Sequence, residues 1–102
     1  MSSKAKRKGN GFEVEVVKVL KQRGFVAERA WGSNGIALGE APDVDIIVGV
    51  RALKFRLQAK RRARLPQYLT PSETVDAVVA RADRGETLIV LRLDEFLTLM
   101  GG

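Results

Sequence analysis

The chain has 102 residues, 45% hydrophobic and 29% charged, a composition that suits one folded domain and excludes wholesale disorder. Eighteen Lys and Arg stand against twelve Asp and Glu, and the resulting net charge of +6 favours a polyanionic partner, nucleic acid first. Without Cys or His, disulfides, thiolate or imidazole metal sites and histidine acid–base catalysis are all excluded, so a metal here would be an oxygen-bound hard cation, magnesium or, as the alternative, manganese.

Residues 1–10 are polar and basic, with Lys4, Lys6, Arg7 and Lys8 ahead of any hydrophobic pattern. They read as a mobile arm in front of a single domain spanning 11–102. No apolar segment follows the arm, so it is not a secretory signal, and no run approaches the ~20 apolar residues of a membrane span. A cytoplasmic protein with no membrane partner is expected.

The first helix is expected over 11–23, closed by Gly24 just past its end. Glu13, Val16, Val17 and Leu20 lie on one stripe by their spacings of three, four and seven, so Glu13 is expected to point inward with apolar side chains. A carboxylate so placed must be paired or bind a cation. Residues 25–31 suit a strand, followed by a long Gly-rich connection through Pro42. Asp43 to Val48 forms a second, β-branched strand with acids at its entrance. The third, 53–60, alternates, with Leu53, Phe55, Leu57 and Ala59 on one face and Lys54, Arg56, Gln58 and Lys60 on the other.

After the basic loop of Arg61, Arg62 and Arg64, Thr70-Pro71-Ser72-Glu73 has the form of a capped helix start. Val75, Val78, Val79 and Ala82 would be the buried stripe of that helix, and Gly85 its stop. Residues 87–93 read as a strand buried on both faces, and Asp94 as the cap of a last short helical turn through Met100. The expected order is α-β-β-β-α-β, an α/β fold with a right-handed crossover and a mixed central sheet flanked by helices.

The chemistry concentrates in four places. Asp45 offers a carboxylate, Gln58 an amide oxygen, Ala59 a backbone carbonyl, and Glu13 a second carboxylate, direct or one shell out. This is a donor set for magnesium. Cationic Lys60, two residues beyond Gln58 and on the same face, is placed to orient the attacking water or to stabilise charge on a phosphate. Together these groups meet the needs of phosphodiester hydrolysis. Asp43 is a second candidate acid in the same stretch. The clusters Lys6, Arg7, Lys8 and Arg61, Arg62, Arg64 flank this site and suit phosphate contacts. Trp31 is open to two readings, stacking on a base or packing.

Arg7-Lys8-Gly9, Glu13, Gly24-Phe25, Arg29, Gly32-Ser33, Val44-Asp45-Ile46-Ile47-Val48 and Gln58-Ala59-Lys60 stand in this order over roughly residues 7–93. In this the chain resembles the PD-(D/E)xK nuclease superfamily, and within it the archaeal- and phage-type Holliday-junction resolvases. The resemblance implies a restriction-endonuclease-like core, with Glu13, Asp45 and Lys60 in the positions of the helix glutamate, metal aspartate and strand lysine. It further implies that Ser33 serves cleavage and that Arg29 contacts the DNA backbone. It implies a homodimer that nicks four-way junctions symmetrically with magnesium, leaving 5′-phosphate and 3′-hydroxyl ends.

Position 58 departs from that pattern, with glutamine where the strand acid usually stands. An amide oxygen still binds magnesium but brings no charge. Two other functions stay open on the sequence: a related nuclease acting on linear or damaged DNA, and a catalytically silent DNA-binding module.

Overall fold

The computed structural model describes the backbone of residues 4–30 and 35–101, and the side chains of residues 11–30 and 35–101. By internal contacts the chain forms two compact units, Met1–Arg61 and Arg62–Gly102.

The first unit opens with α1, Lys4–Gln22. It begins seven residues before the expected start, so the arm foreseen over residues 1–10 is helical from Lys4 onward. Lys, Ala and Arg are strong helix formers, and they outweigh Gly9 and Gly11, each of which costs about 1 kcal/mol. The C-terminus is as the sequence indicates. Gly24 takes φ +91°, its N–H reaches the Lys21 carbonyl at 3.0 Å, and the Phe25 N–H reaches that of Leu20 at 3.0 Å. This paired arrangement caps the last carbonyls of the helix and turns the chain into the sheet.

Three antiparallel strands follow: β1 Val26–Arg29, β2 Ile46–Val50 and β3 Leu53–Leu57, in spatial order β1-β2-β3. Val26 pairs with Gly49 and Arg29 with Ile46, while Ile46 pairs with Leu57 and Val50 with Leu53. The β2–β3 loop is only Arg51-Ala52, and Arg51 supplies the positive φ of 58° that so short a hairpin loop needs. The helix packs across β1 and β2. Ala27, Ile46, Val48 and Val50 share the buried face of the sheet and, with Leu20, Ala30 and Val44, make up the core of this unit. Leu53 and Phe55 lie on that face by register, yet they stay exposed because β3 is an edge strand.

β3 stops at Leu57 rather than at Lys60. The reason is local: the N–H of Ala59 goes to the carboxylate of Asp45 instead of to a neighbouring strand.

The second unit departs further from expectation. Residues 71–84 form no helix. A 3-10 turn at Gln67–Leu69 ends at Thr70, whose hydroxyl bonds back to the Pro66 carbonyl at 3.2 Å rather than capping a helix start. Ala77–Ala80 is strand β4, paired antiparallel with β5, Leu88–Leu91, so that Val79 faces Ile89 and Val78 faces Val90. The expected crossover is therefore a hairpin connection, and both sheets are antiparallel rather than mixed.

Val75, Val78 and Val79 explain the difference. Their spacing satisfies a helical stripe, but β-branched side chains favour a pleated surface once a strand partner such as Leu88–Leu91 is at hand. β5 is also not buried on both faces, since Leu88 and Ile89 are exposed. Arg92 fastens the loop that replaces the helix: its guanidinium donates to the carbonyls of Ser72 (2.9 Å), Pro71 (3.2 Å) and Val75 (3.2 Å). The chain ends in α2, Leu93–Leu99, with Arg92 rather than Asp94 at the cap position and Asp94 and Glu95 in its first turn. Leu97 is its buried residue.

The element order is thus α-β-β-β-β-β-α. The α/β class stands, and the first unit is consistent with a restriction-endonuclease-like core. Among the described residues no helix is long and apolar enough to cross a membrane.

Candidate active site

Asp45 sits one residue ahead of β2 and is held by its backbone from both sides. Its N–H donates to the Leu57 carbonyl at 2.9 Å, and its carbonyl accepts from the Ala30 N–H at 2.8 Å. The residue is 6% exposed, and Oδ2 accepts the Ala59 N–H at 2.7 Å. A charge-assisted bond of that length fixes both the carboxylate and the segment Gln58-Ala59-Lys60 that runs past it. Asp43, two residues earlier, is exposed. Of the two candidate acids, Asp45 is the one built into the fold.

Glu13 points inward, as the periodicity of α1 requires, and is 3% exposed. Its Oε1 accepts from Arg29 Nε at 3.1 Å, an ion pair in which the Arg29 side chain is 26% exposed. Arg29 ends β1, and the next residue, Ala30, is the one whose N–H meets the Asp45 carbonyl. A single row of contacts therefore runs from Glu13 through Arg29 and Ala30 to Asp45 and Ala59, crossing α1, β1, β2 and the end of β3. Glu13 enters that row through a guanidinium and Asp45 through an amide. Among the described residues no three acids gather into one metal-type cluster.

Gln58 and Lys60 are exposed, and Ala59 is half-buried between them. The oxygens that Asp45 and this segment could offer a cation are the second Asp45 carboxylate oxygen, the Gln58 amide oxygen and the Ala59 carbonyl. That set fits a hard divalent cation, which is held by one or two carboxylates and otherwise keeps its water. It offers nothing to a metal that requires sulfur or imidazole.

Arg61, Arg62 and Arg64 are exposed. Arg61 closes the first unit, and the other two open the second. Lys6, Arg7 and Lys8 lie on α1, with side chains outside the described residues, and Ser33 and Trp31 lie outside them altogether.

One charged group has no signal in the sequence. Glu40, in the connection to β2, reaches two cations of β3: Oε1 pairs with Arg56 Nε, and Oε2 lies 3.7 Å from Lys54 Nζ. The hydrogen bond from Arg56 lowers the Glu40 pKa against the opposing effect of burial, and the same bond raises that of Arg56. The alternation of Lys54, Arg56 and Gln58 marks half of this cluster in the sequence. Glu40 joins it only through the fold.

Comparison with known proteins adds to this geometry. The sequence model of the archaeal Holliday junction resolvase family (Hjc) matches residues 4–100. A curated protein of Archaeoglobus fulgidus, the crossover junction endodeoxyribonuclease Hjc, is 33% identical over 89 residues, which cover 86% of this chain and 63% of that protein. The chain thus spans less than two thirds of the relative's length. No solved structure gives a significant match.

Proposed function

Because the chain belongs to the archaeal Holliday junction resolvase family, we propose that it is an endodeoxyribonuclease that cuts phosphodiester bonds at four-way DNA junctions. The ordered set of Glu13, Asp45 and Lys60 supports that reading, with Gln58 as its departure from the usual pattern. Membership in a nuclease family of this kind implies a divalent metal, and magnesium is the ion we assign, with manganese as the substitute.

The observation that carries the reading is the 2.7 Å bond from the Ala59 N–H to Asp45 Oδ2. It ties a buried acid to a segment presenting an amide oxygen, a carbonyl and a lysine. Asp45, Gln58 and the Ala59 carbonyl would hold the ion, with Glu13 as a contributor from α1. When bound, such an ion lowers the pKa of its water and neutralises charge on the phosphate. Lys60 follows directly on this segment and serves to orient the nucleophile or to bind the developing negative charge. Arg29, held by Glu13 through Nε, keeps its terminal nitrogens for a phosphate. Lys6, Arg7, Lys8, Arg61, Arg62 and Arg64 add sequence-independent attraction to the DNA backbone. Ser33 is assigned to cleavage by its place in the family's Gly-Ser loop.

We take residues 11–102 as one nuclease-like domain, since the family match runs through both compact units. The protein is expected to act as a homodimer, one site for each of two opposed strands. Incubation with a labelled four-way junction and a matched linear duplex, with magnesium and with chelator, tests the reading. Symmetric, magnesium-dependent nicking of the junction is the expected result. Cutting of the linear duplex alone would assign a related nuclease instead.

A second reading is supported by the exposed Gln58 and by the absence of a three-acid cluster among the described residues. Under it the chain binds junctions and does not cut them, and the same experiment returns binding without nicks.

A further inference from the structure

On the outward face of the three-stranded sheet, Lys54 and Arg56 stand two residues apart on β3, and Glu40 is laid across them with one carboxylate oxygen toward each. We propose that Lys54 and Arg56 form a phosphate-binding track along β3, leading toward Gln58 and Lys60, and that Glu40 occupies it in the free protein as a stand-in for a nucleic-acid phosphate. The proposal rests on the nucleic-acid reading above.

Three features support it. Two residues along a strand advance about 6.8 Å, so the cations form a ladder on which an extended phosphate backbone can register, and Gln58 is the next position of the same alternation. Next, a carboxylate that bridges two cations through separate oxygens uses the geometry that the two non-bridging oxygens of a phosphate would use. The cations remain half-exposed, at 54% and 51%, whereas the Glu40 side chain is only 11% exposed, so the pair is covered from one side and open from the other.

The third feature is the floor beside the track. Lys54 pairs with Gly49, and both line a shallow groove with Val26, Glu28, Ile47 and Arg51. A Cβ at Gly49 would meet only the Val26 carbonyl, at an ordinary 3.8 Å, and the residue has no positive φ. Local structure therefore does not demand glycine there, and the missing side chain leaves room for a backbone to approach Lys54. A bare loop staple explains less, because ion pairs whose cations stay half-exposed contribute only modestly to stability.

The test measures binding of a fluorescent four-way junction and a linear duplex against salt concentration, in chelator so that no cleavage intervenes. Lys54→Ala/Arg56→Ala is expected to weaken binding by roughly tenfold and to reduce the slope of log K against log salt by about 1 to 2, one step for each phosphate that is no longer neutralised. Glu40→Gln is expected to tighten binding by roughly three- to tenfold, and that gain is expected to vanish in the Lys54→Ala/Arg56→Ala background. Arg56→Lys should keep the slope, and melting curves of each variant verify folding. Wild-type affinity and slope in the double variant overturn the track, as does a Glu40→Gln gain that persists without the two cations. Failure of the unmodified protein to bind either DNA overturns the nucleic-acid reading itself, and the track with it.

Discussion

The Ala59 amide and the Asp45 carboxylate meet at 2.7 Å, so the segment carrying Lys60 is positioned by a side chain rather than by the β-ladder, which ends two residues earlier. Asp45→Asn keeps an oxygen acceptor for that amide while removing the charge. It should fold like the parent and cut junctions about 10²–10³-fold more slowly, the scale expected when one charge-stabilising group is removed. Asp43→Asn, at an exposed position, should cut at the parent rate. Single-turnover nicking of both variants decides the matter, and equal losses would remove Asp45 from its assigned role.

Position 58 gives a gain-of-charge test. Gln58→Glu adds a second carboxylate next to Asp45 and should raise magnesium affinity about tenfold, since ligand charge is a principal control on the binding of hard cations. Calorimetric titration reads this directly, and an unchanged isotherm would remove residue 58 from the metal's surroundings.

The Glu13–Arg29 pair places a carboxylate that is 4% exposed against a guanidinium that is 26% exposed. Removing one partner of a buried ion pair costs about 3–5 kcal/mol, and partial exposure of the arginine brings the expected loss for Arg29→Ala to about 2 kcal/mol. Replacing both residues by leucine should cost less than the single change, because no charge is then left in the core. Denaturant unfolding of the single and double variants tests the ordering.

Gly35 is buried under the connection that leads to Asp45. A Cβ there would lie 2.2 Å from the Ala41 carbonyl oxygen and 2.9 Å from the Val44 Cβ. Because backbone rather than a flexible side chain blocks it, Gly35→Ala should destabilise by about 2–3 kcal/mol through overpacking. It should also disturb the approach to Asp45. A melting temperature equal to the parent's would show that the loop yields without cost.

Acid should release Glu40. The hydrogen bond from Arg56 lowers its pKa from the ordinary 4.5, so the ion pair stabilises the fold above that value and breaks as pH falls through the lowered folded-state pKa. Arg56 is shifted upward by the same hydrogen bond, and its share fades only in strong alkali. The stability difference between the parent and Glu40→Gln should therefore be constant near neutrality, begin to fall near the ordinary 4.5, and disappear once pH drops below the lowered folded-state pKa. A difference that persists at lower pH would mean that the carboxylate is not what stabilises the pairing.

Apart from the start of α1 and the end of β3, the first unit is legible in the sequence because its signals are local and mutually consistent. The stripe Glu13–Val16–Val17–Leu20 fixes which way the acid points, Gly24 fixes the helix end, and the β-branched run after Asp45 fixes the central strand. The second unit was misread where two local signals agreed with each other and not with the fold. Thr70 to Glu73 has the form of a helix start, and Val75, Val78, Val79 and Ala82 have helical spacing, but the decisive fact is a pairing partner at Leu88–Leu91. Strand pairing across a turn leaves no trace in a window of twelve residues. The same holds for Glu40 and Arg56, sixteen positions apart and joined only by the folded chain.

Gln58 lies outside the ladder that ends at Leu57 and faces solvent, while the neighbouring Ala59 amide and the doubly braced backbone of Asp45 need nothing from its side chain. The scaffold is therefore indifferent to the chemistry at this position. Acid and amide are interchangeable there as far as folding is concerned, so Gln58→Glu should leave the architecture intact, and whatever it changes in metal binding or cleavage is then chemistry and not misfolding.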